Sequence, residues 1–175
     1  MAFLQDLHHI TTFVFDLDGV LTDGTVYIDA EGEQLRAMNI KDGYALQLAV
    51  KKGYHVAIIS GGTSHTVLKR FHALGIPDVY LGVKDKPAVL KQFLEEKQVS
   101  SAQVLYMGDD MPDLEVMHKC LVATCPADAC EEIKAISHYI SPNAGGKGCV
   151  RDVIERVLKV QQKWSETRDD KIASI

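Results

Sequence analysis

The sequence predicts an α/β fold, a Rossmann-like doubly wound parallel sheet, on three observations. Short apolar runs alternate with helical patterns along the chain. The runs are continuous rather than alternating, as in strands covered on both faces. Acidic, hydroxyl and lysine residues recur just past the ends of these runs, where open α/β sheets bind ligands. A chain of 175 residues fits one domain with a proper core.

The elements follow in order. The first apolar run, Thr12–Leu17, reads as the opening strand. The next segment breaks the rhythm: Thr25-Val26-Tyr27-Ile28-Asp29 and Glu33-Gln34-Leu35-Arg36-Ala37-Met38 flank Ala30-Glu31-Gly32, which reads as a β-hairpin insertion over 25–38. Further strands are expected at His55–Ile59, Val79–Leu81, Val104–Met107, Leu121–Thr124 and His138–Ile140. Helices are expected at Gly43–Lys52, Thr63–Leu74, Pro87–Gln98, Met111–Lys119, Ala129–Ala135 and Val150–Lys163. Right-handed crossovers then bring every strand C-terminus to one edge. Neither the stretch from Asp18 to Ser60 nor that from Lys86 to Asp109 leaves room for a cap domain. The expected organisation is a single domain over 1–164 with a polar, aperiodic tail over 165–175.

The net charge of −5 and pI near 5.8 argue against nucleic acid or an anionic membrane as the main partner. No apolar stretch reaches spanning length and the N-terminus lacks a signal-peptide pattern, so the expected location is cytoplasmic. Cys120, Cys125, Cys130 and Cys149 fit a reducing compartment and lack the close pairing of a zinc site.

Four motifs carry the chemistry. Asp16 and Asp18 end the first strand, with Gly19 next door. Residues i and i+2 of an extended chain point the same way, so the two carboxylates can share a hard cation and keep one oxygen ready as a nucleophile. The bland alternative is a solvated Asp-Gly turn. Ser60-Gly61-Gly62 follows the second long strand and offers a hydroxyl and backbone amides to an anion; a plain N-cap is its structural alternative. Lys86 stands at a helix start fixed by Pro87, and is preferred to Lys84 as a phosphate partner over a merely solvated turn. Gly108-Asp109-Asp110-Met111-Pro112-Asp113 brings three acids together, whose repulsion calls for a cation, although helix N-termini also favour acids.

Asp16-x-Asp18, Ser60, Lys86 and Gly-Asp-Asp-x-x-Asp, in that order and each at a strand end, resemble the haloacid dehalogenase superfamily of aspartyl-phosphate phosphatases. The resemblance spans about Phe13 to Arg151. It implies Asp16 as nucleophile, Asp18 as general acid and base, and Ser60, Gly61 and Lys86 as phosphate binders. It also implies a Mg²⁺ site from Asp16, Asp18, Asp109, Asp110 and Asp113. Asp-Gly-Val-Leu-Thr-Asp-Gly at 18–24, Lys41-Asp42-Gly43 and Gly145-Gly146-Lys147-Gly148-Cys149-Val150-Arg151 narrow it to the capless, tetrameric 3-deoxy-D-manno-octulosonate 8-phosphate phosphatase family of lipopolysaccharide synthesis. In such a tetramer hairpins pair, and a neighbour's C-terminal segment approaches the site.

One departure stands out. The family usually reads Ser-Gly-Arg where this chain has Ser60-Gly61-Gly62, and that arginine is thought to hold substrate. Lys41, Lys147 or Arg151 could supply the missing charge, and a nine-carbon ulosonate 9-phosphate stays open as the alternative substrate. Arg36 reads as a solvated hairpin residue, and Gly145–Gly148 equally as a flexible turn. Two other classes compete with the enzyme reading. A catalytically silent phosphatase-like interaction domain is disfavoured because every catalytic position is present. A receiver domain is disfavoured because its aspartate follows a later strand.

Overall fold

The computed structural model describes residues 2–63 and 66–164. A short helix α1 (Ala2–Asp6) leads into β1 (Thr12–Phe15). β1 occupies an interior position of a six-stranded sheet ordered β5-β4-β1-β6-β7-β8, where β4 is His55–Ile59, β5 Asp78–Tyr80, β6 Val104–Met107, β7 Val122–Cys125 and β8 Tyr139–Ile140. Every pairing in it is parallel. Strand order reverses around β1: the chain steps out through β4 and β5, then returns to β6. The C-terminal ends of β1, β4 and β6 therefore face the crevice where such sheets bind ligands.

The helices cover both faces. Phe13 and Phe15 point to one side, where α2 (Ile40–Lys51), α3 (Thr66–Ala73) and α7 (Cys149–Val160) bury Leu46, Ala49, Phe71, Val153 and Val157. Val14, between them in sequence, points to the other side. There α4 (Lys86–Lys97), α5 (Leu114–Met117) and α6 (Glu131–Ile136) bury Leu90, Phe93, Val116 and Ile133 against Ala57, Ile59 and Tyr106. All four residues of β1 are buried, which is why its sequence does not alternate.

Several boundaries differ from the sequence expectation for local reasons. β1 stops at Phe15 because the chain turns after Asp16: Gly19 has φ +93 and Thr22 N donates to Leu17 O at 3.0 Å. α2 starts at Ile40 because the Asn39 side chain accepts from Lys41 N at 2.8 Å. The expected helix at 111–119 is a 3₁₀ turn, Met111–Asp113, followed by the single-turn α5. The hairpin strands are only two residues each, β2 (Tyr27–Ile28) and β3 (Gln34–Leu35), and form their own antiparallel sheet. Among the described residues no cap domain stands over the strand ends; this hairpin is the sole insertion between β1 and α2. The expected tail at 165–175 lies outside the described residues.

Candidate active site

Asp16 leaves β1 buried at 6 % exposure. Lys86, the first residue of α4, is equally buried and reaches it from the helix start that Asp85 caps and Pro87 fixes. Its ammonium bridges two acids, 2.7 Å from Asp16 Oδ1 and 2.6 Å from Asp113 Oδ1. The Tyr106 hydroxyl donates to the same Asp113 oxygen at 2.8 Å from inside β6, and Asp109 N donates to the other at 3.3 Å. Donor atoms of Asp16, Asp109 and Asp113 lie within 4.8 Å of one another.

Crowding and burial perturb the ionisation of Asp16 and Asp109. Burial, then repulsion from Asp113, raises the Asp16 carboxyl to about 6 even though Lys86 pulls the other way. Burial, then Asp16 and Asp113, raises Asp109 to about 7. Burial works against the Lys86 ammonium, but the two acids outweigh it and hold its pKa above the ordinary value. Burial, then Asp113, also keeps the Tyr106 phenol protonated. A small divalent cation would relieve the repulsion, and an all-carboxylate oxygen set suits Mg²⁺. Asp18 and Asp110 fall outside the trio. Asp110 is exposed and caps the turn after it, its Oδ1 accepting from Met111 N at 2.8 Å.

Asp18 stands beside this cluster. It receives the guanidinium of Arg36, with Nε 2.6 Å from Oδ1 and Nη2 2.9 Å from Oδ2. The sequence reading of Arg36 as a solvated hairpin residue is thus corrected: its side chain is 3 % exposed. On the opposite flank Ser60 is buried, and its Oγ accepts from Gly62 N at 3.1 Å. The strand is not followed at once by a helix: residues 61–63 are irregular, and α3 is described from Thr66 onward. The loop is tied instead to the segment after β5, Gly82 N donating to Gly62 O at 2.8 Å and Val83 N to Ser60 O at 3.0 Å.

Together Asp16, Asp18, Ser60, Gly61, Lys86, Asp109, Asp110 and Asp113 line one cavity of about 540 Å³. A larger cleft of about 1040 Å³ shares Lys84, Lys86 and Pro112 with it and runs along α4, but Leu90, Leu94 and scattered surface charges wall it, so the chemistry belongs to the smaller cavity. Lys41, Lys147 and Arg151 do not line the site cavity, and Arg36 adjoins it through Asp18 and Gly62, which do. Lys41 is exposed. Lys147 pairs with Asp23 at 3.3 Å. Arg151 pairs with Glu155 at 3.1 Å and lies 5.2 Å from the Trp164 ring.

The Gly145–Gly148 segment has a different task from binding charge. Gly146 N donates to Val20 O at 2.9 Å, and Gly145 packs directly on the backbone of Gly19 and Thr22. Asp42 anchors the start of α7: buried in α2, it accepts from Arg151 N at 2.7 Å. The segment is a buttress for the loop that carries Asp18. Sequence reasoning missed Arg36, Tyr106 and this buttress, since each acts across the fold rather than along the chain.

The cluster can present a carboxylate to an electrophile, neutralise an anion with Lys86, and offer a second carboxylate for proton transfer. A family model described as haloacid dehalogenase-like hydrolase matches residues 78–154. The chain is 35 % identical over 164 residues to the 3-deoxy-D-manno-octulosonate 8-phosphate phosphatase of Escherichia coli strain K12, covering 94 % of this chain and 87 % of that one. It superposes on the crystal structure of 3-deoxy-D-manno-octulosonate 8-phosphate phosphatase from Yersinia pestis with a TM-score of 0.91 at 34 % identity, over 93 % of this chain and 88 % of that one. The enzyme of the same description from Moraxella catarrhalis, in complex with magnesium, phosphate and KDO, gives a TM-score of 0.89 at 34 % identity, over 98 % and 96 %.

Proposed function

The chain belongs to the 3-deoxy-D-manno-octulosonate 8-phosphate phosphatases, phosphoric monoester hydrolases of the haloacid dehalogenase class, and we propose that it hydrolyses 3-deoxy-D-manno-octulosonate 8-phosphate to the free sugar acid and phosphate. The observation that carries this reading is the buried Asp16–Lys86–Asp113 bridge with Asp109 against it and Asp18 alongside. Asp16 is the nucleophile. Its carboxylate attacks phosphorus in line, forming an aspartyl phosphate as the bond from phosphorus to the sugar oxygen breaks. Asp18 gives its proton to that oxygen, then takes one from the water that attacks the aspartyl phosphate. Lys86 offsets charge on the phosphate, and Ser60 with Gly61 binds it from the other flank. Asp16, Asp109 and Asp113 would hold magnesium, which would supply positive charge against the phosphoryl oxygens. Lys86 also neutralises Asp16 before the metal arrives, so the nucleophile stays in place in the free protein.

Residues 1–164 form the catalytic domain in this proposal, and the active species is a homotetramer in the cytoplasm. Tyr27 (61 % exposed), Ile28 (72 %) and Ile40 (80 %) leave an apolar stretch on the hairpin and the start of α2, which a second copy of the chain would cover. Among the described residues no helix is long and apolar enough to cross a membrane. A phosphate-release screen with Mg²⁺ tests the function. Release is expected from 3-deoxy-D-manno-octulosonate 8-phosphate in preference to a nine-carbon ulosonate 9-phosphate. No release from either, or full activity after chelation, would sink the reading.

A further inference from the structure

The hairpin sends one side chain into the body of the protein. β2 and β3 are exposed along their length, yet the Arg36 side chain just beyond them is buried. Its planar fork occupies both oxygens of Asp18. Gln34 steadies it, accepting from Nη2 at 3.1 Å through its side chain and from Nη1 at 3.3 Å through its backbone oxygen. Gly62 opens on the same space. A Cβ there would lie 3.2 Å from Asp18 Oδ2, 3.3 Å from Arg36 Nη2 and 3.4 Å from Ser60 Oγ. The guanidinium from the hairpin thus fills the ground that a side chain at position 62 would need.

Charge supplies the second half. The cavity wall carries Asp16, Asp18, Asp109, Asp110 and Asp113 against Lys84 and Lys86. Lys86 is committed to Asp16 and Asp113. A phosphorylated sugar acid brings two anionic groups, and the phosphate takes the Asp16 end. Its carboxylate needs a second cation on the Asp18 side. The arginine fork matches a carboxylate in shape, whereas Lys84 offers an exposed, strongly hydrated point charge. The hairpin shares no strand pairing with the main sheet, so Arg36 can shift with little disturbance of the core.

We infer that Arg36 is a specificity-determining residue: it clamps Asp18 in the empty site and exchanges that carboxylate for the carboxylate of the substrate, which frees Asp18 to face the scissile oxygen. The inference rests on the sugar-acid phosphate reading above. Esters without a carboxylate leave the clamp closed and turn over slowly.

The test measures kcat/KM for 3-deoxy-D-manno-octulosonate 8-phosphate and for phenyl phosphate in the wild type, Arg36→Ala, Arg36→Lys and the double variant Arg36→Ala with Gly62→Arg. Losing a charge-assisted fork should cut the ratio of the two kcat/KM values about 10- to 100-fold in Arg36→Ala. KM for the sugar acid phosphate should rise. The kcat for phenyl phosphate should rise as well, because among the described residues Asp18 then keeps just the longer 3.3 Å contact from Thr22. Arg36→Lys should fall between, and Gly62→Arg should restore the ratio from the opposite wall. An equal loss on both esters would make Arg36 a mere prop for Asp18 and overturn the inference, as would an unmoved ratio. A wild type that cleaves phenyl phosphate but shows no preference for the sugar acid would overturn the substrate reading and this inference together. A wild type that prefers the sugar acid while the variants keep that preference overturns this inference alone.

Discussion

Substituting Gly145 by Ala should damage catalysis without touching a catalytic group. The Cβ would overlap Gly19 O, and would stand 2.6 Å from Gly19 C and 2.9 Å from Thr22 O. All three are backbone atoms, so no rotamer relieves the collision. Gly145 itself is pinned, its amide donating to Asp128 Oδ1 at 2.9 Å. To regain ordinary contact the 19–22 loop must retreat by roughly 1.5 Å, which displaces Asp18, the residue before it, by about 1 Å or more. Overpacking of this kind costs about 1–3 kcal/mol, which for a chain of this size lowers Tm by about 2–12 °C. Misplacing a reacting group by about 1 Å costs on the order of 100-fold in rate. Gly145→Ala should therefore fold, melt a few degrees lower, and release phosphate about 100-fold more slowly at saturating substrate. Steady-state phosphate release and a thermal melt on the same preparation read both effects. A variant with wild-type kcat and an unchanged Tm would refute the buttress.

Asp16→Asn should abolish phosphate release while keeping the circular dichroism of the wild type; retained turnover would show that another group attacks phosphorus. The metal-free protein should lose stability as pH rises. Asp16 and Asp109 have folded pKa values of about 6 and about 7 against an ordinary 3.8, so the folded state holds more protons between about pH 4 and 7 and stability declines across that window. Asp109→Asn should then melt higher than wild type at pH 8 and lose that advantage at pH 5, with chelator present at both; an advantage independent of pH would contradict the assignment. Tyr106→Phe removes the 2.8 Å bond to Asp113 and should weaken apparent Mg²⁺ affinity about 10-fold, read from the metal dependence of the rate. An unchanged metal dependence would leave Tyr106 as packing only.

What the sequence reveals and what it hides divide along a physical line. The main strands are legible because each is a short apolar run covered on both faces, and the acids, Ser60 and Lys86 are legible because each follows such a run or opens the helix after it. Distance along the chain from strand end to site is nearly zero for these residues. Arg36 is different. It sits 18 residues from Asp18, in a hairpin whose paired strands are exposed, and only the folded path of the hairpin turns it inward. Tyr106 is masked by its company, since an aromatic in a buried strand reads as core until its hydroxyl is seen against Asp113. The hairpin is legible too, but its paired portion is shorter than its apolar content suggests, because the tip is spent on bonds to Asp29 from Glu31 and Glu33. Lys147 and Arg151 draw attention as substrate cations through their motif, whereas each has an acidic partner of its own.

The packing of α7 beside α2 sets the order in which this protein can mature as it leaves the ribosome. Gln161, just past α7, donates to Leu7 O at 2.8 Å and Ile10 O at 2.7 Å, in the segment that leads into β1. Gly145 and Gly146, shortly before α7, support the loop on which Asp18 is mounted. An emerging polypeptide that already displays Asp16, Lys86 and Asp113 still lacks the wall that fixes Asp18 and the cover over one side of β1. Its acidic residues can gather a cation before Asp18 has a defined position. Full competence thus waits for α7, so a nascent chain stalled before that point should hold metal yet turn over little substrate.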